Sequence, residues 1–312
     1  MSEAAGEPPA LSLVVPVFNE EGNVAPLCAE LTRVASGLGR SYETIFVNDG
    51  STDETLPRLK QMKESDVHLH IVSLDGNFGE AAALCAGFAH AHGDVVVTLD
   101  GDGQNNPADI PRLLAKLDEG YDVVSGRREE RKEKFWTRVL PSRVANWLVV
   151  KATGIPVYDC GCGLKAYRRT VLNNVQLPKG FNRFLPAILG IKAERVAEVM
   201  VKDRPRGSGA SHYGLKRIFV VLKDLPSLPF LVRRPVKSAP IAVSVLVLFF
   251  STSVVCVVLA GRFLSVPVLE DMCVFFGFST VMGVTVAAAA EINIRRFVTA
   301  REQGVFRVKE VL

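Results

Sequence analysis

DVVVTLDGDGQNNP, residues 94–107, runs an apolar, strand-like segment directly into two aspartates one residue apart. Asp100 and Asp102 have the same parity along an extended backbone, so their side chains leave one face of the strand together. Two carboxylates held that close repel unless a cation joins them. Gly101 and Gly103 let the backbone approach a ligand closely. Mg2+ and Mn2+ prefer oxygen ligands and often bind through one or two carboxylates plus substrate phosphates. Asp100 and Asp102, with the Gln104 carbonyl nearby, are therefore a candidate site for a divalent metal and a diphosphate.

Similar apolar runs recur on either side: LSLVVPVF (11–18), YETIFVN (42–48), HLHIVSL (68–74) and YDVVSG (121–126). Segments of helical periodicity, such as 23–38 and 79–92, alternate with them. This alternation predicts an α/β fold, a mostly parallel sheet with helices on both faces. Ligands of such sheets bind at the carboxyl ends of the strands. The polar residues ending these strands are then the candidates for chemistry: Asn19, Glu20, Asn48, Asp49, Asp100, Asp102 and Arg127. In VNDGSTDET (47–55), Asp49 is placed to accept from a base or ribose, Gly50 permits a sharp turn, and Ser51 to Asp53 can cap the next helix. Neither a G-x-x-x-x-G-K-[ST] loop nor a G-x-G-x-x-G turn follows the first strand, which argues against a P-loop NTPase or a dinucleotide dehydrogenase.

The chain has 312 residues, of which 48% are hydrophobic, and that apolarity is uneven. Residues 239–260 and 272–290 contain no charge at all. As helices they would reach roughly 33 and 28 Å, close to the ~30 Å bilayer core. Arg233, Arg234 and Lys237 precede the first stretch, and Arg295 and Arg296 follow the second. By the positive-inside rule both flanks, and the large N-terminal part, are expected to be cytoplasmic. The N-terminal MSEAAGEPPA lacks the pattern of a secretory signal and is expected to be disordered. A net charge of +4 is too small to argue for nucleic acid. Six cysteines in a cytoplasmic setting do not form a disulfide framework, and Cys160 and Cys162 lack the second pair a zinc site needs.

Seven ordered segments, PVFNEE, VNDGSTDET, GNFGEAAALCAGFAHAHGD, LDGDGQNNP, SGRR, DCGCGLKAYRR and RPRGSGASHYG, resemble the family 2 glycosyltransferases that act on polyprenyl phosphates. The resemblance covers roughly residues 11–225, and the two apolar stretches look like the membrane hairpin of the bacterial members. It implies a GT-A fold and an inverting transfer from a nucleotide sugar to a polyprenyl phosphate, undecaprenyl phosphate above all. By position, Pro16, Phe18, Glu20 and Asp49 match the nucleotide-binding residues, and Asp100, Asp102 and Gln104 match the metal and diphosphate site. Arg127, Arg138 and Arg206, with Ser211, match the part that receives the lipid phosphate, and Asp159 matches an acidic residue near the sugar. The implied catalytic set is Asp102, Asp159 and Arg127; the implied cofactor is Mg2+ or Mn2+. Two departures stand out: Asn48 occupies the place of a second aspartate, and His212 stands where a lysine is common.

The expected organisation is a disordered 1–10, a GT-A catalytic domain over 11–212 and an interfacial segment over 213–235. A transmembrane hairpin over 236–294, with spans near 239–260 and 272–291, and a cytoplasmic tail over 295–312 complete it. Such a protein is integral to the cytoplasmic membrane, and Gly277 and Gly283 allow homo-oligomer packing without requiring it. The competing readings are a processive polysaccharide synthase, disfavoured by the missing Q-x-x-R-W motif, and a catalytically silent subunit that binds a nucleotide sugar.

Overall fold

The computed structural model describes residues 8–129, 146–147, 149–151, 153–204, 251, 285, 288–300 and 302–312. The first half alternates as the apolar runs require. In chain order it comprises β1 (Leu11–Val17), α1 (Val24–Ser36), β2 (Tyr42–Asn48), α2 (Thr55–Lys63), β3 (Leu69–Leu74), α3 (Glu80–His90), β4 (Val95–Thr98), α4 (Ile110–Asp118) and β5 (Val123–Arg128). Three further strands follow: β6 (Lys165–Arg168), β7 (Val196–Val201) and β8 (Val308–Val311). All eight join one sheet in the order β7-β5-β6-β4-β1-β2-β3-β8.

Every residue of β2 is buried, so its run does not alternate between apolar and exposed polar positions, and its one charged residue, Glu43, accepts from Ser12 Oγ at 2.6 Å. The helices read differently. In α1 the buried residues are Val24, Leu27, Cys28, Leu31 and Ala35, one stripe at helical spacing that covers one face of the sheet. The opposite face carries α3, whose residues Ala81 to Phe88 are all buried. Small side chains let α3 lie flat on the strands. At Gly87 a Cβ would run into Val14 Cγ1 and come within 3.2 Å of Val47 Cγ2. Gly87→Ala is accordingly expected to destabilise the protein by about 1–3 kcal/mol through overpacking. A lowered unfolding midpoint in urea checks this, and an unchanged midpoint would show that α3 can slide off β1.

β1 pairs in parallel with β2 on one side and β4 on the other. The chain winds outward from β1 through β2 to β3, then returns to the far side of β1 for β4. The crevice at the carboxyl ends of β1 and β4 is thus the topological switch point, where open α/β sheets bind ligands. Gly101 fits there because a Cβ would meet the Pro16 carbonyl oxygen at 2.8 Å and Val17 Cγ1 at 2.6 Å.

The sheet is more mixed than expected. β6 runs antiparallel between β4 and β5, and β8 antiparallel along β3. Both are four residues long, too short to carry a periodic signature. The tail expected over 295–312 is likewise part of the folded body. Ile71 and Leu312 exchange two backbone hydrogen bonds of 2.9 Å, and Lys60 pairs with Glu310 at 2.7 Å. Residues 288–300 are helical, and the Phe297 ring lies 6.4 Å from that of Phe181.

Among the described residues no helix is long and apolar enough to cross a membrane. The expected interfacial segment, the first apolar stretch except Ser251, and the second except Thr285 and residues 288–290 lie outside the described residues.

Candidate active site

Three strand ends meet at the switch point. After β1, Asn19 adopts φ 54°, turning the chain back on itself, and its Oδ1 accepts from Thr52 N at 2.8 Å. Glu20 N donates to Thr55 Oγ1 at 2.9 Å, and Glu54 N donates to Glu21 Oε2 at 3.0 Å. These bonds stitch the loops after β1 and β2 together. They leave Phe18 exposed and Glu20 half-buried beyond the carboxyl end of β1, with Asn23 Nδ2 donating to Glu20 Oε2 at 2.5 Å. Pro16 lies just inside the strand, against Gly101.

Asp49 is buried at the end of β2, and its carboxylate is engaged by the chain itself. Oδ1 accepts from Phe78 N and Oδ2 from Gly79 N, both at 2.8 Å, so Asp49 clamps the loop that enters α3. Burial pushes its pKa up, opposed by the two amides and by the charge of Lys179. Asn48 beside it donates to Ser73 Oγ at 3.0 Å and accepts from Ser51 N at 3.1 Å, tying β2 to β3. Asp53 Oδ1 accepts from Thr55 N at 3.0 Å, just ahead of α2, whose N-cap residue is Glu54. Gly50 is required by a close approach, since a Cβ there would lie 2.5 Å from the Gly76 carbonyl carbon.

The DGDGQ turn leaves β4. Asn105 Oδ1 accepts from Asp100 N at 2.9 Å, and Asp102 Oδ1 accepts from Gln104 N at 3.1 Å. The Gln104 carbonyl accepts from Arg204 N at 2.9 Å, so the segment after β7 closes one side of the turn. The Asp100 carboxyl group lies directly against Gly163. Burial raises the Asp100 pKa, the charges of Glu80 and Asp102 raise it further, and those of Lys165 and Arg128 oppose them.

Arg128 and Lys165 form the positive side of this cluster, and the sequence reading did not single out either. Arg128 makes a bidentate pair with Asp159, Nε to Oδ2 at 2.7 Å and Nη2 to Oδ1 at 2.9 Å, and reaches Asp203 Oδ2 at 3.5 Å. Burial disfavours its charge, but the Asp159 bond and charge outweigh that and hold its pKa above the ordinary value. Lys165 is buried, with Nζ donating to the carbonyls of Cys160 and Cys162. Those two cysteines are buried free thiols whose pKa burial pushes to about 12. Asp203 Oδ1 is buried without a hydrogen-bond partner among the described residues.

Asp100, Asp102 and Asp159 thus share one electrostatic cluster, with Arg128 joined to Asp159 and opposing the Asp100 shift. Arg127, its neighbour on β5, points to the other face of the strand. Its guanidinium stacks 5.4 Å from the Tyr158 ring centroid, 3.9 Å from Glu198 Oε2, with half of the side chain exposed. Glu198 Oε1 accepts from the amides of Tyr158 and Asp159 at 2.7 and 3.0 Å, and so separates the two arginines' surroundings. Arg138, Arg206 and Ser211 lie outside the described residues. The doubled arginine of SGRR was the available signal for Arg128, because consecutive strand residues face opposite sides.

The cluster fits a divalent cation. Asp100 and Asp102 offer oxygen donors, a cation would relieve the pressure that raises the Asp100 pKa, and the Asp100 carboxyl group has a seat that a Cβ would fill. Among the described residues no three or more His, Cys, Asp or Glu side chains converge as a metal cage. The protein's share within them is the two carboxylates, which suits an ion completed by substrate oxygens.

Residues 12–176 match the family described as Glycosyl transferase family 2. The chain belongs to that family, is a glycosyltransferase enzyme, and carries a GT-A-like α/β fold with a mixed sheet. Within the family its similarity runs to sugar transferases named for polyprenyl phosphates. It is 40% identical over 227 residues to a dodecaprenyl-phosphate galacturonate synthase of Rhizobium johnstonii, covering 72% of this chain and 67% of that protein. It is 37% identical over 216 residues to an undecaprenyl-phosphate 4-deoxy-4-formamido-L-arabinose transferase of Salmonella paratyphi B, covering 69% of this chain and 66% of that protein. The chain's match therefore spans about two-thirds of each relative. Among solved structures, glucosyl-3-phosphoglycerate synthase from Mycobacterium tuberculosis, in complex with Mn2+, uridine diphosphate and glucosyl-3-phosphoglycerate, shares the fold. The TM-score is 0.54 at 20% identity, over 74% of this chain and 82% of that one.

Proposed function

We propose that the protein transfers a sugar, with inversion, from a nucleotide sugar to the phosphate of a polyprenyl phosphate, undecaprenyl phosphate above all, at the cytoplasmic membrane face. The observation that carries this reading is the Asp100–Asp102 pair at the β1/β4 switch point, backed by Arg128 and Lys165, in a chain 40% identical to a dodecaprenyl-phosphate sugar transferase. An oxygen of the lipid phosphate attacks the anomeric carbon, the bond from that carbon to the diphosphate breaks, and the nucleoside diphosphate leaves with the electron pair. A phosphate acceptor is already anionic near neutral pH, so no general base has to take a proton from it. The demands are electrostatic: stabilise the leaving diphosphate and hold two anions together.

Mg2+ or Mn2+ bound by Asp100 and Asp102 would supply Lewis acidity at the leaving group. Pro16, Phe18 and Glu20 line the edge where the nucleotide would lie, and Asp49 supports it by clamping the loop at Phe78 and Gly79. Asp159 keeps Arg128 in place through their two hydrogen bonds, which directs positive charge toward the carboxylate cluster. Arg127 would receive the lipid phosphate, joined by Arg138, Arg206 and Ser211. Around it Tyr158 and Met200 are exposed apolar side chains, a surface suited to an anionic head carrying an apolar chain. Arg127→Ala is expected to raise the Michaelis constant for polyprenyl phosphate several-fold more than that for the nucleotide sugar. Initial rates against each substrate check this, and an unchanged lipid dependence would remove Arg127 from the acceptor site.

The membrane hairpin belongs to the same reading. β8 pairs with β3 at the end of the sheet, and Phe297 of the 288–300 helix packs against the core beside Phe181. If the intervening chain crosses a bilayer, it must cross an even number of times to return. Two spans with cytoplasmic flanks satisfy that, in agreement with the arginines at 233, 234, 295 and 296.

The test incubates the purified full-length protein in detergent with short polyprenyl phosphate, Mg2+ or Mn2+, and labelled nucleotide sugars, followed by lipid extraction. The panel begins with galacturonate and 4-formamido-arabinose donors, the sugars named for the two relatives. Label in an acid-labile lipid establishes the transferase and its donor. Donor binding with no labelled lipid from any donor would favour the silent binding subunit.

A further inference from the structure

We propose that Gly163 is a positioning residue for the cation site, forming the seat that holds the Asp100 carboxylate. The three heavy atoms nearest to a Cβ built on Gly163 are Cγ, Oδ1 and Oδ2 of Asp100, all closer than any real Cβ contact. Backbone conformation gives no competing reason for glycine at this position. Gly163 is absent from the positive-φ glycines, unlike Gly103 at φ 73°, whose Cβ would meet nothing within 4 Å. An alanine at 163 would therefore be allowed by the backbone and would displace the carboxylate.

The seat is also unable to retreat. Thr98 Oγ1 on β4 donates to the Gly163 carbonyl at 2.8 Å, and Gly126 N on β5 donates to the carbonyl of Leu164 at 2.8 Å. Lys165 Nζ gathers the carbonyls of Cys160 and Cys162 on the preceding turn. Gly163 is thus pinned between two strands, while Asp100 N is tied to Asn105 Oδ1 at 2.9 Å. With both backbones fixed, a methyl group at 163 leaves only one adjustable part, the Asp100 side chain, which must rotate out of its place beside Asp102. Gly163 acts through Asp100 and touches no substrate itself.

The inference rests on assigning Asp100 to cation binding, so the experiment separates the two. Gly163→Ala, Asp100→Ala and the double variant are prepared as full-length protein in detergent. Their stabilities are compared without metal, and Mn2+ binding is followed by electron paramagnetic resonance with and without uridine diphosphate. The loss of stability from Gly163→Ala is expected to vanish when Asp100 is already alanine, because the clashing atoms are gone. Mn2+ affinity of Gly163→Ala is expected to fall by about tenfold or more, as for other residues that orient a metal ligand. An equal loss of stability in both backgrounds would overturn the seat, as would wild-type Mn2+ affinity in a folded Gly163→Ala. If Gly163→Ala fails to fold, recovery of folding in the double variant supports the seat and its absence overturns it. Coupled stabilities in a protein that binds no Mn2+ under either condition would keep the seat and refute the cation assignment.

Discussion

Asp102→Asn is expected to lower the turnover number by about 10²–10³-fold, the scale seen when one preorganised charge-stabilising group is removed. The substitution removes a negative charge and little else. Asp102 Oδ1 accepts from Gln104 N at 3.1 Å, and an asparagine Oδ1 can accept the same bond, so the turn keeps its shape. The side chain is only half-buried, which leaves the fold with little to lose. Transfer of labelled sugar to lipid measures the effect, with circular dichroism and membrane extraction as controls for folding and insertion. Wild-type rates in this variant, with a divalent metal still required, would remove Asp102 from the cation site.

Arg128→Ala should have the largest effect on stability. Its guanidinium carries two short bonds to Asp159, a carboxylate 3% exposed, and a longer one to Asp203. Truncation leaves both carboxylates facing each other and Asp102 without their cation. Breaking a buried pair from one side typically costs about 3–5 kcal/mol, because an uncompensated charge remains. Arg128→Lys should recover part of the charge but not the bidentate geometry, and fall between the two. Urea unfolding in detergent reads both variants. A loss below about 1 kcal/mol for Arg128→Ala would mean that the cluster is wetter than its burial implies and contributes as a surface pair does.

The candidate site was legible in part. Asp100 and Asp102 announced themselves because both carboxylates follow an apolar run at equal parity, a pattern with a local cause. Asp49 was singled out for its position at the end of β2, yet its two oxygens face Phe78 N and Gly79 N, backbone groups about thirty residues away. Asp159 was expected beside the sugar and is found bound to Arg128. Arg128 itself was passed over in favour of Arg127, although the two differ only in which side of β5 they face. Gly163 carries no signal of its own in the sequence, and only the approach of Asp100 from a distant strand gives it a task.

What the sequence determined by itself is local and periodic: five strands, the helices between them, and the placing of polar residues at strand ends. Continuous apolar runs and helical stripes report burial directly, since each depends only on neighbours a few residues away. The tertiary structure alone decided the rest. β6 and β8 are four-residue segments whose partners lie far along the chain, so their pairing exists only once the sheet has assembled. The balance of charge around Asp100 is likewise a property of the fold: Glu80, Asp102, Arg128 and Lys165 come from separate segments, and their fields act on Asp100 only where those segments meet.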